Sequence, residues 1–229
     1  MISFDVAKPL KDGTISYLVY RCFWRLRAVL GLPPSTPSIK LRTKCSISEP
    51  NFVSKGSKLM SPKSKEPSSL DLGCGSSPKN PFRASVVRGV DIRESADKTI
   101  LSADLALERI PFDSKSFSYV TAYDFLEHIP RVSCGAATRF PFVELMNEIH
   151  RVLEPGGIFY SHTPAYPFSE AFQDPTHVNI ITEDTFANYF CSSDQATPLA
   201  AIYGFTGLFK LIDQAWDGCY LLTMMRKSF

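Results

Sequence analysis

Asp71, Gly73 and Gly75 fall within the stretch Leu70-Asp71-Leu72-Gly73-Cys74-Gly75-Ser76-Ser77-Pro78, where a short expected strand near 69–72 runs into a turn. Glycines at such a place let the backbone turn sharply and let a ligand approach without a Cβ in the way. Ser77 is suited to cap a following helix and Pro78 to fill its first position, which would leave free N–H groups aimed at a bound molecule. A second acid, Asp91, closes Gly89-Val90-Asp91 twenty residues after Asp71. A carboxylate at the end of the next strand can accept hydrogen bonds from both hydroxyls of a ribose. The combination reads as a site for an adenosine-containing ligand.

The second group of chemically able residues is imidazole and carboxylate. The sequence has four histidines, at 128, 150, 162 and 177. His177 lies in the polar segment Phe172-Gln173-Asp174-Pro175-Thr176-His177-Val178-Asn179, where Asp174 either orients its ring or caps a turn at Pro175. His128 follows a strand in Asp124-Phe125-Leu126-Glu127-His128 and is the rival for the same task. A neutral imidazole is well matched to taking a proton near pH 7, so His177, His128 and Asp174 are the candidate catalytic residues. His162 ends a later strand at the edge of the expected cleft. His150 lies within a helix, where such residues usually pack or face solvent.

These groups need a scaffold that brings strand ends together. After Ser69, apolar runs rich in Val, Ile and Tyr alternate with helical stretches, the mark of an α/β domain with a mostly parallel sheet. Strands are expected near 69–72, 86–92, 118–122 and 157–162, with helices after Ser77 and over 138–153. The apolar runs 205–215 and 220–225 flank Asp217-Gly218, a hairpin signal, so the C-terminal end is expected to be antiparallel.

The 229 residues are 44% hydrophobic and carry a formal charge of +2, which excludes wholesale disorder. Residues 1–69 hold twelve Lys and Arg against four Asp and Glu, while the remainder holds thirteen against nineteen. The expected division is a basic extension over 1–68 and a domain over 69–229. Thr14 to Gly31 has helical length and large apolar residues beside Arg21 and Arg25, suiting a helix packed on the domain or lying on a membrane surface. From Pro33 to Pro67, Ser, Pro and Lys dominate, as in a tether; without interleaved aromatics its lysines give no reason to expect a nucleic-acid partner. Six scattered cysteines without a CxxC pair fit a reducing compartment. With no signal-peptide layout at the N-terminus and no long apolar run, a cytoplasmic protein is expected.

A dinucleotide-binding fingerprint would have a third glycine where this chain has Pro78. The order of motifs instead resembles the class I S-adenosylmethionine (SAM)-dependent methyltransferases, of the type 11-like group, from about Leu70 to Phe190. It rests on Asp71-x-Gly73-x-Gly75, Asp91, Ala103-Asp104, Pro111-Phe112-Asp113 with Phe117, Asp124 to His128, and Glu148 to Gly157 ending in Pro-Gly-Gly. Ser77, where many members have glycine, is a departure. The resemblance implies a Rossmann-like sheet and SAM as cofactor. It implies Asp71, Gly73 and Gly75 around the amino-acid end, Asp91 on the ribose and Ile92 beside the adenine. Asp104 would accept from the adenine amine, the Leu105 backbone would meet the ring, and Asp124 would lie near the methionine portion.

Segments 79–82, 139–148 and 161–167, with the 174–179 loop, are similar to small methyltransferases of bacterial surface-polysaccharide synthesis. That implies O-methylation of a sugar or sugar-containing acceptor, against the alternatives of another small molecule or a SAM-binding module without catalysis. The spacing of Asp124, Glu127 and His128 is also similar to the cluster of ubiquinone-biosynthesis O-methyltransferases that a divalent ion assists. With no second ligand-bearing segment evident, no metal ligand is assigned from the sequence.

Overall fold

A computed structural model describes residues 66–192 and 197–228, all within the unit Ile47–Phe229. The expected helix over 14–31, most of the 33–67 tether and the remainder of the basic arm lie outside the described residues.

The strands form where short apolar runs are buried. They are β1 (Ser68–Leu72), β2 (Val86–Asp91), β3 (Ile100–Ser102), β4 (Phe117–Tyr123), β7 (Leu153–Pro164), β8 (Phe209–Asp217) and β9 (Tyr220–Lys227). They join in one sheet of order β3-β2-β1-β4-β7-β9-β8, and a two-residue pair, β5 (Ser133–Cys134) with β6 (Thr138–Arg139), stands apart. β3, β2, β1, β4 and β7 run parallel, while β9 pairs antiparallel with both β7 and β8. The expected mostly parallel sheet with an antiparallel C-terminal hairpin is therefore the observed one. Its turn passes through Gly218 at φ +60°, in the left-handed region that glycine enters freely.

The helix α1 (Pro141–Val152) starts with proline at its first turn and buries Phe142, Leu145, Met146, Ile149 and Val152, a spacing that draws them to one face. That face packs into a core with Leu70, Leu72, Val90, Val120 and Phe159, all fully buried. The chain passes from α1 straight into β7 through Pro155-Gly156-Gly157. Gly156 takes φ +78°, and a Cβ on Gly157 would sit 2.9 Å from the Glu154 carbonyl. The short helices α2 (Glu170–Gln173) and α3 (Glu183–Tyr189) follow β7.

One expected element is not formed. No helix follows Ser77; residues 73–85 are turns and irregular backbone. Pro78 and Pro81 remove two backbone donors within four residues, and Asn80 closes the segment on itself. Its Nδ2 donates to the Ala84 carbonyl and its Oδ1 accepts from the Ala84 N–H, each at 2.9 Å. That side-chain-to-backbone turn replaces the first turn of a helix.

At the other end of the core, Phe209 is fully buried, with ring centroids 5.2 Å from His150 and 6.1 Å from Phe205. Phe209→Ala is expected to destabilise the fold by about 3–5 kcal/mol, the cost of an unfilled aromatic cavity, seen as a lowered urea midpoint.

Candidate functional site

The sheet reverses its order between β1 and β4, and ligands of open α/β sheets bind beyond the carboxyl ends of the strands at such a point. Here those ends deliver the Gly73–Gly75 turn after β1, Asp91 at the end of β2 and the segment Asp124–His128 after β4. Gly73 and Gly75 have φ +67° and +63°. A Cβ on Gly73 would stand 2.5 Å from Cδ2 of Phe125, so the loops after β1 and β4 touch.

Asp71 is 2% exposed and does not face the turn as a free acid. Its Oδ1 accepts from Thr121 Oγ1 at 2.6 Å and its Oδ2 from the Lys79 N–H at 2.8 Å. Burial outweighs these bonds and lifts its pKa from 3.8 to about 6. Asp71 braces β1, β4 and the irregular segment that stands where the helix was expected.

Asp91 behaves oppositely. Oδ2 accepts from the Gly75 N–H at 2.8 Å, and Oδ1 accepts from Arg93 through its backbone N–H at 3.1 Å and its Nε at 2.8 Å. The Arg93 side chain holds the carboxyl below the ordinary range, so Asp91 is ionised. That side chain is 73% exposed. Beside it is a cavity of about 440 Å³ lined by Cys74, Gly75, Ser76, Ser77, Arg93, Glu94 and Ser95. A somewhat larger depression, about 500 Å³, lies around Arg109, Phe112 and Arg151, away from these strand ends. Only the first adjoins the glycine turn.

Ile92 is exposed, and Ala103 N–H donates to the Asp91 carbonyl at 3.0 Å, which sets the end of β3 against the end of β2. Asp104 Oδ1 accepts from the Ala106 N–H at 3.0 Å, a turn-forming bond, and the Leu105 side chain is buried. Asp124 has φ +49° and a half-exposed side chain, with Oδ1 3.9 Å from Nδ1 of His162. The structure thus brings Gly75, Asp91, Ile92 and Asp104 to adjacent strand ends, with Asp124 beyond β4 on the other side of the glycine turn.

On the far side of Asp124, residues 174–180 are stitched to residues 126–131. The Glu127 carbonyl accepts from the N–H groups of Val178 and Asn179, both at 2.9 Å. Asn179 Nδ2 donates to the Leu126 carbonyl at 3.0 Å, and Arg131 Nε donates to Asn179 Oδ1 at 2.7 Å. This places the rings of His128 and His177 edge to face, with centroids 4.9 Å apart.

Of the two roles open to Asp174, the structure takes the turn. Its Oδ1 accepts from the Thr176 N–H at 2.8 Å and from Thr176 Oγ1 at 2.7 Å, and among the described residues it makes no ion pair with His177. The ring its chain of bonds reaches is that of His128, whose Nδ1 lies 3.0 Å from Thr176 Oγ1. With the hydroxyl hydrogen directed at Asp174, Oγ1 accepts from Nδ1–H. The network assigns that tautomer and leaves Nε2 of His128 as the basic nitrogen.

The sequence groups Glu127 with Asp124 and His128 but assigns it no role. It is 1% exposed, with Oε2 accepting from Thr163 Oγ1 at 2.7 Å and Oε1 buried without a hydrogen-bond partner. Its signal was a lone acid between Leu126 and Ile129, both buried.

Residues 70–161 match the family described as a methyltransferase domain. Among solved structures, a SAM-dependent methyltransferase from Mesorhizobium loti is 17% identical, with TM-score 0.45, covering 72% of this chain and 93% of its own. The PH0226 protein from Pyrococcus horikoshii is 18% identical, with TM-score 0.46 and coverage of 72% and 83%. The 1,6-didemethyltoxoflavin-N1-methyltransferase from Burkholderia thailandensis, solved with S-adenosylhomocysteine, is 16% identical, with TM-score 0.43 and 72% of each chain covered. No curated protein matches the chain.

The buried acid gives a pH signature. A carboxyl at about 6 when folded and 3.8 when unfolded binds more protons in the folded state between those values. Its contribution to stability is therefore greatest below the lower value and falls as pH rises through the upper one. The stability of the native chain relative to Asp71→Asn should decline by about 2 kcal/mol between about pH 4 and pH 7, measured by urea unfolding.

Proposed function

We propose that this chain is a SAM-dependent methyltransferase acting on an oxygen of a sugar or sugar-containing acceptor. The observation that supports a SAM-dependent methyltransferase is the methyltransferase-domain match over residues 70–161, laid on a sheet whose switch point presents the glycine turn and Asp91 together. The sugar acceptor rests on the likeness of segments 79–82, 139–148 and 161–167. Residues 69–229 are the transferase domain and the basic segment 1–68 is an appended arm. The four described cysteines are free thiols, in keeping with a cytoplasmic setting. Among the described residues no helix is long and apolar enough to cross a membrane.

The residues fit the cofactor. Gly73 and Gly75 keep Cβ atoms out of the turn, the Gly75 N–H is held on Asp91, and the adjoining cavity is within the range of small-ligand pockets. Asp91 would hold the ribose hydroxyls once Arg93 has moved aside, with Ile92 and Asp104 toward the base and Asp124 toward the methionine end. When bound, SAM supplies a methyl group on a sulfonium, an electrophile with a good leaving group.

The protein's main task is alignment, which contributes up to roughly 7–11 kcal/mol in favourable cases. A hydroxyl acceptor also has to lose its proton, and Glu127, His128 and His177 gather beside Asp124 where that proton would be handled. This polar cluster favours a hydroxyl over an amine that is already neutral. One observation favours the second reading, a module that binds SAM without transfer: Arg93 engages both oxygens of Asp91.

Two measurements separate the readings. Asp91→Ala should weaken SAM binding by about 1–3 kcal/mol in calorimetry, the effect of losing charged hydrogen bonds; unchanged affinity in a folded variant would remove Asp91 from the site. Incubation of labelled SAM with nucleotide sugars, lipid-linked glycans, lipids and small phenols identifies the acceptor. With that acceptor, His128→Ala should lower turnover by roughly 10²–10⁴ while SAM affinity holds. Binding of SAM with no labelled product from any acceptor would favour the non-catalytic module.

A further inference from the structure

We infer that Glu127, His128 and His177 form a binding site for one divalent transition-metal ion of the Zn²⁺ or Co²⁺ type. One donor atom from each residue lies within 4.8 Å of those of the other two. They come from two segments far apart in sequence, the turn after β4 and the loop after α2, brought together by the backbone bonds of Val178 and Asn179 to the Glu127 carbonyl. The sequence pattern had grouped Asp124 with Glu127 and His128; the structure leaves Asp124 outside and supplies His177 instead.

Two of the six buried side-chain atoms without a hydrogen-bond partner among the described residues belong to this cluster. Glu127 is 1% exposed, yet its Oε1 has no partner, and Nδ1 of His177 is likewise buried and unpartnered. A buried polar atom without a partner costs about 1–3 kcal/mol, more when charged, so two in one place call for a common ligand.

His128 has the arrangement a metal-bound imidazole needs. Its Nδ1 is engaged by Thr176, whose hydroxyl is held by Asp174, so the lone pair is on Nε2. A ligating histidine characteristically gives its other N–H to such an outer partner, which fixes ring and tautomer. Thr163 does the corresponding work for Glu127 by bonding Oε2 at 2.7 Å and leaving Oε1 over.

Two imidazoles and one carboxylate select the ion. Zn²⁺ and its first-row neighbours accept mixed nitrogen and oxygen donors, whereas Mg²⁺ favours octahedral oxygen. Bonds of about 2.0–2.1 Å place tetrahedral donors roughly 3.3 Å apart, so the cluster closes by about 1–1.5 Å at most on binding. His177, on a surface loop, can supply that movement. Three protein ligands leave a coordination position open, the layout of ions that lower the pKa of a bound oxygen. The site does not depend on the SAM reading; a bound ion would occupy Nε2 of His128 and so take the place of the base role proposed for that nitrogen, and the following test detects the ion without turnover.

The full-length chain, stripped with chelator and dialysed, is titrated with Zn²⁺, with Co²⁺ and with Mg²⁺, each alone. Bound metal is counted by elemental analysis, and Co²⁺ is also followed by its visible absorption. The expected result is one Zn²⁺ or Co²⁺ per chain, with a Co²⁺ spectrum free of thiolate charge transfer. Glu127→Gln, which keeps the acceptor for Thr163, and His177→Gln, on the surface loop, should each weaken binding about tenfold or more, with unchanged far-ultraviolet circular dichroism. Absence of stoichiometric uptake would overturn the site. So would uptake unaffected in both variants, uptake abolished by Cys134→Ser, or saturation by Mg²⁺ in preference to Zn²⁺.

Discussion

The carboxylate of Asp71, buried between two parallel strands, is the interaction on which the arrangement of the site depends. An acid in that position is costly unless its lone pairs are used, and its two bonds reach in different directions. Thr121 ties it sideways to β4, and the Lys79 N–H ties it forward to the segment that follows the glycine turn. In a sheet where that segment is helical, the helix itself would hold the turn against the strand ends. Here residues 73–85 have no helical ladder, so a side chain at the strand end takes over part of that task. Burial raises the pKa of Asp71, which weakens the charge without removing the acceptors.

From this anchor the loops build on one another. The turn after β1 leaves room for Phe125 only because Gly73 has no Cβ, and Phe125 leads into the turn that carries Glu127 and His128. The Glu127 carbonyl then receives two N–H groups from the loop that carries His177. Each contact fixes a backbone whose side chains face the next segment. The glycine turn and the imidazole cluster are thus linked through a few loop residues, with Phe125 at the join.

The strands were legible because each is an apolar run with a turn signal after it, and their parallel order followed from the intervals between them. β3 escaped notice because it has only three residues, two of them exposed. The Ser77-Pro78 pair misled for a physical reason: it has the chemistry of a helix start, and a start signal does not ensure propagation. Pro81 and the reciprocal Asn80–Ala84 bonds decide the segment, and the second depends on where the chain goes next. That Asp91 and the glycine turn lie at adjacent strand ends was readable from their spacing after successive strands. The partnership of Glu127 with His177 was not, since it depends on a loop crossing fifty residues later. Asp174 and His177 looked like a pair because they are close in sequence, but the hydroxyl of Thr176 is closer to the acid and captures it.

Asp71 and Asp91 show how position within one layer of strand ends divides labour between identical side chains. Both are nearly buried, at 2% and 6% exposure, and both bond to backbone N–H groups of the loop after β1. Asp71 has a neutral hydroxyl as its other partner, and burial dominates its titration. Asp91 has a guanidinium at the rim, which favours the charged form. The first is suited to hold two strands and a loop in register. The second remains an ionised acceptor between two residues that line a cavity, Gly75 and Arg93, the latter solvent-exposed. An acid in the first environment could not serve the second task without losing the brace, and so the site needs both.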